Sequence, residues 1–342
     1  KVPDREGMWV GGSVPVLALE GWGEVLSGDA GEQAFPQIDG VDMSVQKVVG
    51  YGSAISGLNI HARNRNGNIT AQLNSKDVNG EASWFPAGRG KLVARLKNAA
   101  LDEVKSAEPK RPLLARDTPP NKKAGPVTSP VIDVAIDQFT YHGKPLGRVE
   151  LHASQTEKEI LLDHFRLSSP EGVLAVNGKW DISAAQTHAV VKLQLNDVGG
   201  MLAHNGFPNS VKNGSGTLEG DLVWPGGPDD LMLRNLDGQL NLKLAKGQFL
   251  QLDPGAGKLL SVLSLQSLPK RITLDFTDVF SKGFEFDSIV GAAQVRKGVL
   301  STNDLKIKGS AAEVSLNGQV DLNRETQTLR VRVSPTIGDS VS

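Results

Sequence analysis

The chain has 342 residues, of which 37 are basic and 38 acidic, so its net charge of −1 provides no field that would attract nucleic acid. It contains no cysteine, which excludes disulfide bonds and thiolate metal sites. No apolar run approaches the ~18 residues that a membrane-spanning helix needs. The chain begins at Lys1 without a signal peptide, and we expect it to be a processed or excised fragment.

The first hundred residues alternate apolar and polar side chains, which is typical of strands with one apolar face. Two dipeptides, Asn66-Gly67 and Asn79-Gly80, are the strongest hairpin signals in the chain. An apolar stripe at residues 22–26 with Gly28 as its stop predicts a first short helix between strands.

Residues 104–130 interrupt the alternation. They are rich in proline, and between Lys105 and Gly125 six basic residues accompany two acidic ones. This composition predicts a flexible loop. Contact with anionic lipid headgroups is the alternative interpretation, because basic clusters attract such headgroups.

From residue 131 onwards the chain is predicted to form strands with short connections, and therefore mostly antiparallel pairs. Their alternation indicates a sheet that is wet on one side. Residues 198–202, with Asn205-Gly206 as a stop, predict a second inserted helix. Ala245-Lys246-Gly247 predicts a turn. The apolar stripe at residues 256–263 predicts a third helix, which ends before Pro269.

Motifs that would indicate catalysis fail in their details. The six histidines show no zinc-binding spacing, and Ala256-Gly257-Lys258 lacks the flanking residues of a phosphate-binding loop. Gly50-Tyr51-Gly52 lacks the third glycine of a dinucleotide fingerprint. We therefore predict a protein that is not an enzyme and that has no cofactor and no metal site.

The aliphatic strand faces allow two architectures. They could form the core of a closed β-sandwich, which is the more usual arrangement, or line an open groove. Two features favour the groove: aromatic residues make up only 5% of the chain, and only about three short helices are available to cover the sheet.

Three stretches resemble the YhdP proteins of the AsmA-like superfamily: residues 131–153 (VIDVAIDQFTYHGKPLGRVELHA), 247–302 and 312–322 (AEVSLNGQVDL). The resemblance implies a mainly β fold, in which a long curved antiparallel sheet with about three short inserted helices folds into an open hydrophobic groove. It also implies a periplasmic protein of the bacterial envelope, anchored in the inner membrane by a segment outside this chain. Such a protein would carry phospholipid to the outer membrane, and this chain would be its C-terminal part.

On this interpretation residues 1–103 form a β-groove segment with the first helix, residues 104–130 a loop, and residues 131–342 an AsmA-like groove segment with two helices. The expected phospholipid-binding residues are Ile69, Leu73, Val149, Leu151, Leu174, Val176, Leu193, Leu240, Leu242, Leu244, Leu274, Phe276, Leu305, Ile307, Val314, Leu316, Val320 and Leu322. The helical stripe Leu259, Leu260 and Leu263 would plug the groove, gate it or cap the core, and a cap is favoured.

Two other functions stay open at this point. The first is a β-sandwich scaffold for interaction or assembly in the cell envelope, which would bind protein by strand addition. The second is a carbohydrate-binding module, which would need an aromatic platform, whereas the five tryptophans are dispersed along the sequence. The sequence predicts no particular protein partner.

Overall fold

The structure is a computed structural model that describes residues 7–18, 38–50, 53–103, 130–250, 283–324 and 326–336. These residues form 17 strands, one α-helix and two short 3-10 turns, which confirms the predicted mainly β class. The chain divides into two compact units between Leu167 and Ser168. The predicted segments 1–103, 104–130 and 131–342 have other boundaries and stay a prediction.

The first unit is a sheet whose strands mostly pair with their neighbours in sequence. Antiparallel pairing joins β2 through β6 and then β7 to β8, whereas β1 with β2 and β6 with β7 are parallel pairs. The strands are β1 (Met8–Ala18), β2 (Ile38–Gly50), β3 (Ser53–Arg65), β4 (Asn68–Asn74), β5 (Val78–Phe85), β6 (Lys91–Glu103), β7 (Val131–Tyr141), β8 (Lys144–Gln155) and β9 (Glu159–Ser169).

The two parallel pairs coincide with long connections. A parallel pair requires the chain to return to the end of the sheet from which the first strand started. Residues 19–37 connect β1 to β2, and residues 104–130 connect β6 to β7. The topology therefore requires a long connection at each of these two points. The predicted flexible loop and the first predicted helix fall within these connections, outside the described residues apart from Pro130.

Two hairpin signals in this unit had different outcomes. Asn66-Gly67 forms the predicted turn between β3 and β4, with φ angles of 53° and 84°. The prediction for Asn79-Gly80 was wrong, because this dipeptide lies inside β5, where the register with β6 shifts. The turn comes earlier, where the Ser75 hydroxyl oxygen accepts hydrogen bonds from the backbone N–H groups of Asp77 and Val78.

The second unit is an antiparallel meander in which each strand from β10 to β17 pairs with the next. Apart from one short helix and two 3-10 turns, its described regular structure lies in this single layer. The strands are β10 (Gly172–Asp181), β11 (Gln186–Leu195), β12 (Val211–Pro225), β13 (Asp237–Phe249), β14 (Phe284–Arg296), β15 (Val299–Lys308), β16 (Ala312–Asp321) and β17 (Thr326–Pro335). The 3-10 turns are Pro228–Asp230 and Leu233–Asn235.

The helix α1 (Val198–His204) confirms the second predicted insertion. Its C-cap is Asn205, and Gly206 follows with a φ of 92°, so the predicted stop is used. The backbone N–H of Phe207 then returns to the carbonyl of Leu202 at 2.9 Å. The third predicted helix, which carries the possible plug or gate residues, lies outside the described residues.

The predicted turn at Ala245-Lys246-Gly247 was wrong. Strand β13 continues through these residues to Phe249 and stays paired with β14 beyond them. The turn-like composition marks a local kink instead, because Lys246 has a φ of 54°. At the end of β13, Phe249 lies directly opposite Phe284. The end of β13 and the start of β14 are therefore paired side by side, and the residues that connect them lie outside the described residues.

Candidate functional site

The apolar side chains of the second unit occupy one face of its sheet and meet across every strand. Residues directly opposite each other in an antiparallel pair point to the same face, so the register defines continuous rows. One row crosses β10 to β14 through Leu174, Leu193, Leu218, Leu242 and Gly291. A second row crosses β11 to β17 through Leu195, Gly216, Leu244, Ile289, Ile307, Val314 and Val333.

The first unit has an apolar face built in the same way. One row crosses β2 to β8 through Met43, Ile60, Leu73, Gly80, Leu96, Ile136 and Val149. The next row consists mainly of alanine and passes through Val41, Ala62, Ala71, Ala82, Ala94, Val134 and Leu151. Each unit therefore carries an apolar surface that extends across its strands.

Neighbouring side chains on the same sheet bury these faces, and the described residues supply no facing sheet. In a sandwich, the inner face of each sheet is covered by a second sheet about 10 Å away. Here the buried clusters draw their members from adjacent strands, as in the cluster of Phe284, Phe286 and Ile289 on β14 with Ile307 on β15 and Val314 on β16. Many other row members, such as those of β13, are only half-buried.

The opposite face of the first unit is polar and charged. Arg95 donates to the Asp133 carboxylate at 2.8 Å, and Lys91 lies 3.5 Å from the same group. Partial burial raises the pKa of Asp133, but hydrogen bonds from Arg95 and Lys91 and their charges outweigh it, and the pKa lies below its usual value. Arg148 contacts both Asp137 and Glu150. Each sheet is thus apolar on one side and wet on the other.

Most of the predicted phospholipid-binding residues share these apolar faces. The first unit contributes Ile69, Leu73, Val149 and Leu151. The second contributes Leu174, Val176, Leu193, Leu240, Leu242, Leu244, Leu305, Ile307, Val314, Leu316 and Val320. Leu322 follows β16 in a turn and belongs to no row. Leu274, Phe276 and the stripe Leu259, Leu260 and Leu263 lie outside the described residues.

Several row members were missed although the alternation that identifies them is present in the sequence. They are Met43, Ile60, Leu96 and Ile136 in the first unit and Leu218, Ile289, Val331 and Val333 in the second. Alternation within a strand identifies its apolar face, but strands with a single strong aliphatic residue or a mid-strand irregularity give a weak signal.

Folding also gathers tryptophans that are dispersed in sequence. Trp180 on β10, Thr187 on β11 and Trp224 on β12 lie directly opposite one another at one end of the apolar face. The indole N–H of Trp224 donates to the carbonyl of Gly227 at 2.8 Å. The buried indole N–H of Trp180 has no partner among the described residues. No sequence signal places these residues in one row, because strand pairing alone determines the register.

The described residues show no group of three or more His, Asp or Glu side chains that could hold a metal ion. None of the helices they form has the length and apolar character needed to cross a membrane.

Comparisons with known proteins find a matching family and a curated relative. The family described as "YhdP protein" matches residues 1–342. A protein of Escherichia coli (strain K12), named "Intermembrane phospholipid transporter YhdP", is 26% identical to this chain over 218 residues. That alignment covers 62% of this chain and 17% of the relative, so the chain corresponds to a small part of that protein. No solved structure matches the chain.

Proposed function

This chain belongs to the YhdP family, and we propose that it takes part in phospholipid transport between the inner and outer membranes by holding acyl chains on its apolar sheet faces. The observation that carries the proposal is the set of rows that cross up to seven strands without a described layer above them. The proposal places the chain in the periplasm, as part of a longer protein that reaches both membranes.

The energetic reason is the cost of moving acyl chains through water. Each exposed CH₂ group costs about 0.8 kcal/mol, so a phospholipid with two acyl chains crosses an aqueous gap very slowly on its own. Half-buried leucine side chains such as Leu193 and Leu242 offer apolar contact without hydrogen bonds. The acyl chains can rest on this surface while the headgroup stays in water.

Movement along the sheet requires neighbouring positions of similar affinity, because one deep site would retain the lipid. The rows provide such similarity, since aliphatic side chains or glycine recur at each strand, about 4.8 Å apart. This function needs no catalytic group, no cofactor and no metal. It also predicts little discrimination between acyl chains of different length.

The test is lipid capture by variants on opposite faces of one strand. The purified chain is extracted, and bound phospholipid is measured by mass spectrometry. We expect Leu242→Asp, on the apolar face, to lower bound phospholipid at least about tenfold, because a carboxylate in contact with acyl chains loses its hydration. Asn241→Asp, on the polar face one residue away, is the matched control and should retain the lipid.

Circular dichroism and thermal melting must accompany this measurement. Near-normal melting with lost lipid supports an apolar face that is open to acyl chains. Collapse of the fold in Leu242→Asp alone would indicate a face packed under a second layer, as in a protein-binding sandwich. Absence of phospholipid from the unmodified chain, in extraction and in reconstitution with added lipid, would overturn the proposal.

A further inference from the structure

The connection between β12 and β13 exposes three consecutive apolar side chains. Leu231, Met232 and Leu233, which we name the lip, have exposed fractions of 51%, 44% and 53%. Isolated exposed apolar residues are common on protein surfaces, but three in a row on a strand connection are not explained by the packing of the sheet. Because they lie outside every strand, pairing does not dictate their exposure.

The segment that carries the lip is attached firmly on both sides. On the β12 side, the N–H of Gly226 donates to the carbonyl of Ala185 at 2.7 Å, and the Thr187 hydroxyl donates to the carbonyl of Gly226 at 2.8 Å. On the β13 side, the N–H of Gly298 donates to the carbonyl of Leu236 at 3.2 Å. The connection that carries the lip is therefore tied to neighbouring strands near both of its ends.

The lip is continuous with the apolar face of the second unit. Leu236, three residues after the lip, is buried together with Trp224 and Val295, and Leu240 and Leu300 pack against this group. The lip is therefore followed within three residues by a side chain that packs with Leu240 on the apolar face of β13. The row that contains Trp180 and Trp224 lies at the same end of the strands.

The turns around the lip carry both acidic and basic side chains. Three carboxylates accept hydrogen bonds from backbone N–H groups of the turns: Asp230 from Gly227, Asp237 from Lys297, and Asp321 from Asn323 and Arg324. The basic side chains of the same turns, Arg234, Arg296, Lys297 and Arg324, are exposed, as are Asp230 and Asp237, and Arg324 lies 3.7 Å from the Asp321 carboxylate. Cationic groups beside exposed aliphatic ones suit a surface with phosphate groups above an apolar layer.

We propose that the lip inserts into the interfacial layer of a phospholipid bilayer, so that lipid passes between that bilayer and the apolar face at this end of the strands. The proposal rests on the proposed transport function and adds a site of membrane contact. The lip supplies apolar contact with the acyl region, and the surrounding basic residues meet the lipid phosphates.

The absence of cysteine from the chain permits a direct test. Met232→Cys is labelled with an environment-sensitive NBD fluorophore and mixed with vesicles of phosphatidylethanolamine and phosphatidylglycerol at a ratio of about 3:1. We expect the emission to rise several-fold and to shift to the blue. Val290→Cys, which is 46% exposed on the polar face of β14, is the matched control and should not respond. A silent label at residue 232 would overturn the proposal, even if the chain binds a protein partner there.

A second measurement separates the lip from the transport function itself. The triple variant Leu231→Ser, Met232→Ser, Leu233→Ser should lower vesicle binding in flotation about tenfold or more, since it removes the inserted apolar surface. It should still retain phospholipid supplied in detergent micelles. Val190→Ser with Val290→Ser, both exposed on the polar face, is the control. Unchanged flotation with retained lipid would overturn the lip alone, whereas no bound lipid in any variant would overturn the transport function.

Discussion

The two units carry the same kind of apolar face on differently built sheets. In the first unit the central row is mostly alanine, with Ala62, Ala71, Ala82 and Ala94 side by side, and two of the strand pairs are parallel. In the second unit the row from Leu174 to Leu242 is mostly leucine, and every described strand pair is antiparallel. The side-chain volume and the topology differ, while the polarity of the face is the same.

This difference indicates which property of the face matters. A packed core needs side chains that fit each other closely, so volume would be the constrained quantity. Contact with mobile acyl chains needs only that the side chains are apolar. The polarity of the side chains would then be constrained, whereas their volume could vary. The proposed function accordingly predicts that large and small aliphatic residues are exchangeable at the half-buried row positions, but not at the buried row positions that belong to the packed clusters.

The largest expected effect comes from the packed cluster of the second unit. Phe286 is 2% exposed, and its ring centroid lies 5.2 Å from that of Phe249. We expect Phe286→Ala to lower the free energy of unfolding by about 3–5 kcal/mol, because it leaves a cavity. Urea denaturation gives the loss, and hydrogen exchange measured by mass spectrometry should locate it in β13 to β16.

The matched control is Phe85 at the exposed end of β5 in the first unit. Phe85→Ala should change the free energy of unfolding by no more than about 0.5 kcal/mol. Comparable losses for the two variants would mean that the cluster around Phe286 is no better packed than the strand ends. The contrast in packing between the buried cluster positions and the half-buried row positions would then disappear.

The sequence predicts strand faces well and strand partners less well. Alternation placed Leu240, Leu242 and Leu244 on one face correctly, because that pattern is local to one strand. It did not predict the parallel pairing of β6 with β7, since the partner of a strand after a long connection is chosen by the whole sheet. The turn signals at Asn79-Gly80 and Lys246 failed for a related reason. A backbone with positive φ, as at Gly80 and Lys246, occurs at a kink inside a strand as well as in a turn.

A glycine on the apolar face shows how such kinks are tied to the pairing. Gly216 in β12 has a φ of 156°, and a Cβ there would clash with the carbonyl oxygen of Lys243 in β13. We expect Gly216→Ala to lower the free energy of unfolding by about 2 kcal/mol, because both the backbone conformation and the strand spacing must change. Thermal or urea unfolding measures this loss.

Gly220 lies on the same strand and the same face and is the matched control. A Cβ at Gly220 would come within 3.0 Å of Leu240 Cδ2, the end of a flexible side chain, and the backbone is an ordinary strand. Gly220→Ala should cost less than about 1 kcal/mol. If both variants are equally stable, the kink at Gly216 does not constrain the sheet.

A smaller effect is expected where the alanine row of the first unit is enlarged. Ala82 is half-buried and lies between Ala71 and Ala94. On an uncovered face, Ala82→Leu should change stability by less than about 1 kcal/mol and leave lipid binding intact. The control Ala99→Leu enters the packed cluster of Val78, Ile136 and Val149 and should cost about 1–3 kcal/mol. Equal losses for the two would indicate a covered alanine row.

The smallest effect concerns the polar faces and depends on pH. Arg95 and Lys91 hold the pKa of Asp133 below its usual value although partial burial raises it. The ion pair therefore adds stability above the unfolded pKa of about 3.9, and this contribution is lost as the pH falls through the lower folded pKa. Asp133→Asn should cost less than about 1 kcal/mol at pH 7, because the partners are exposed. The two stability curves should converge as the pH falls well below 4.

Glu219 of the second unit is the carboxylate to compare with Asp133, because one base donates a hydrogen bond to Glu219 and two bases donate to Asp133. A hydrogen bond from Lys192 and its charge lower the pKa of Glu219, with a smaller contribution from the charge of Lys243, but Lys192 and Glu219 are both more than half exposed. Solvent screens such a pair, so Glu219→Gln should shift the pH dependence of unfolding less than Asp133→Asn does. A larger shift for Glu219→Gln would show that the second hydrogen-bonding base at Asp133 adds nothing to the stability of that ion pair. The polar faces of the two units would then be electrostatically equivalent, just as the apolar faces of the two units have the same polarity.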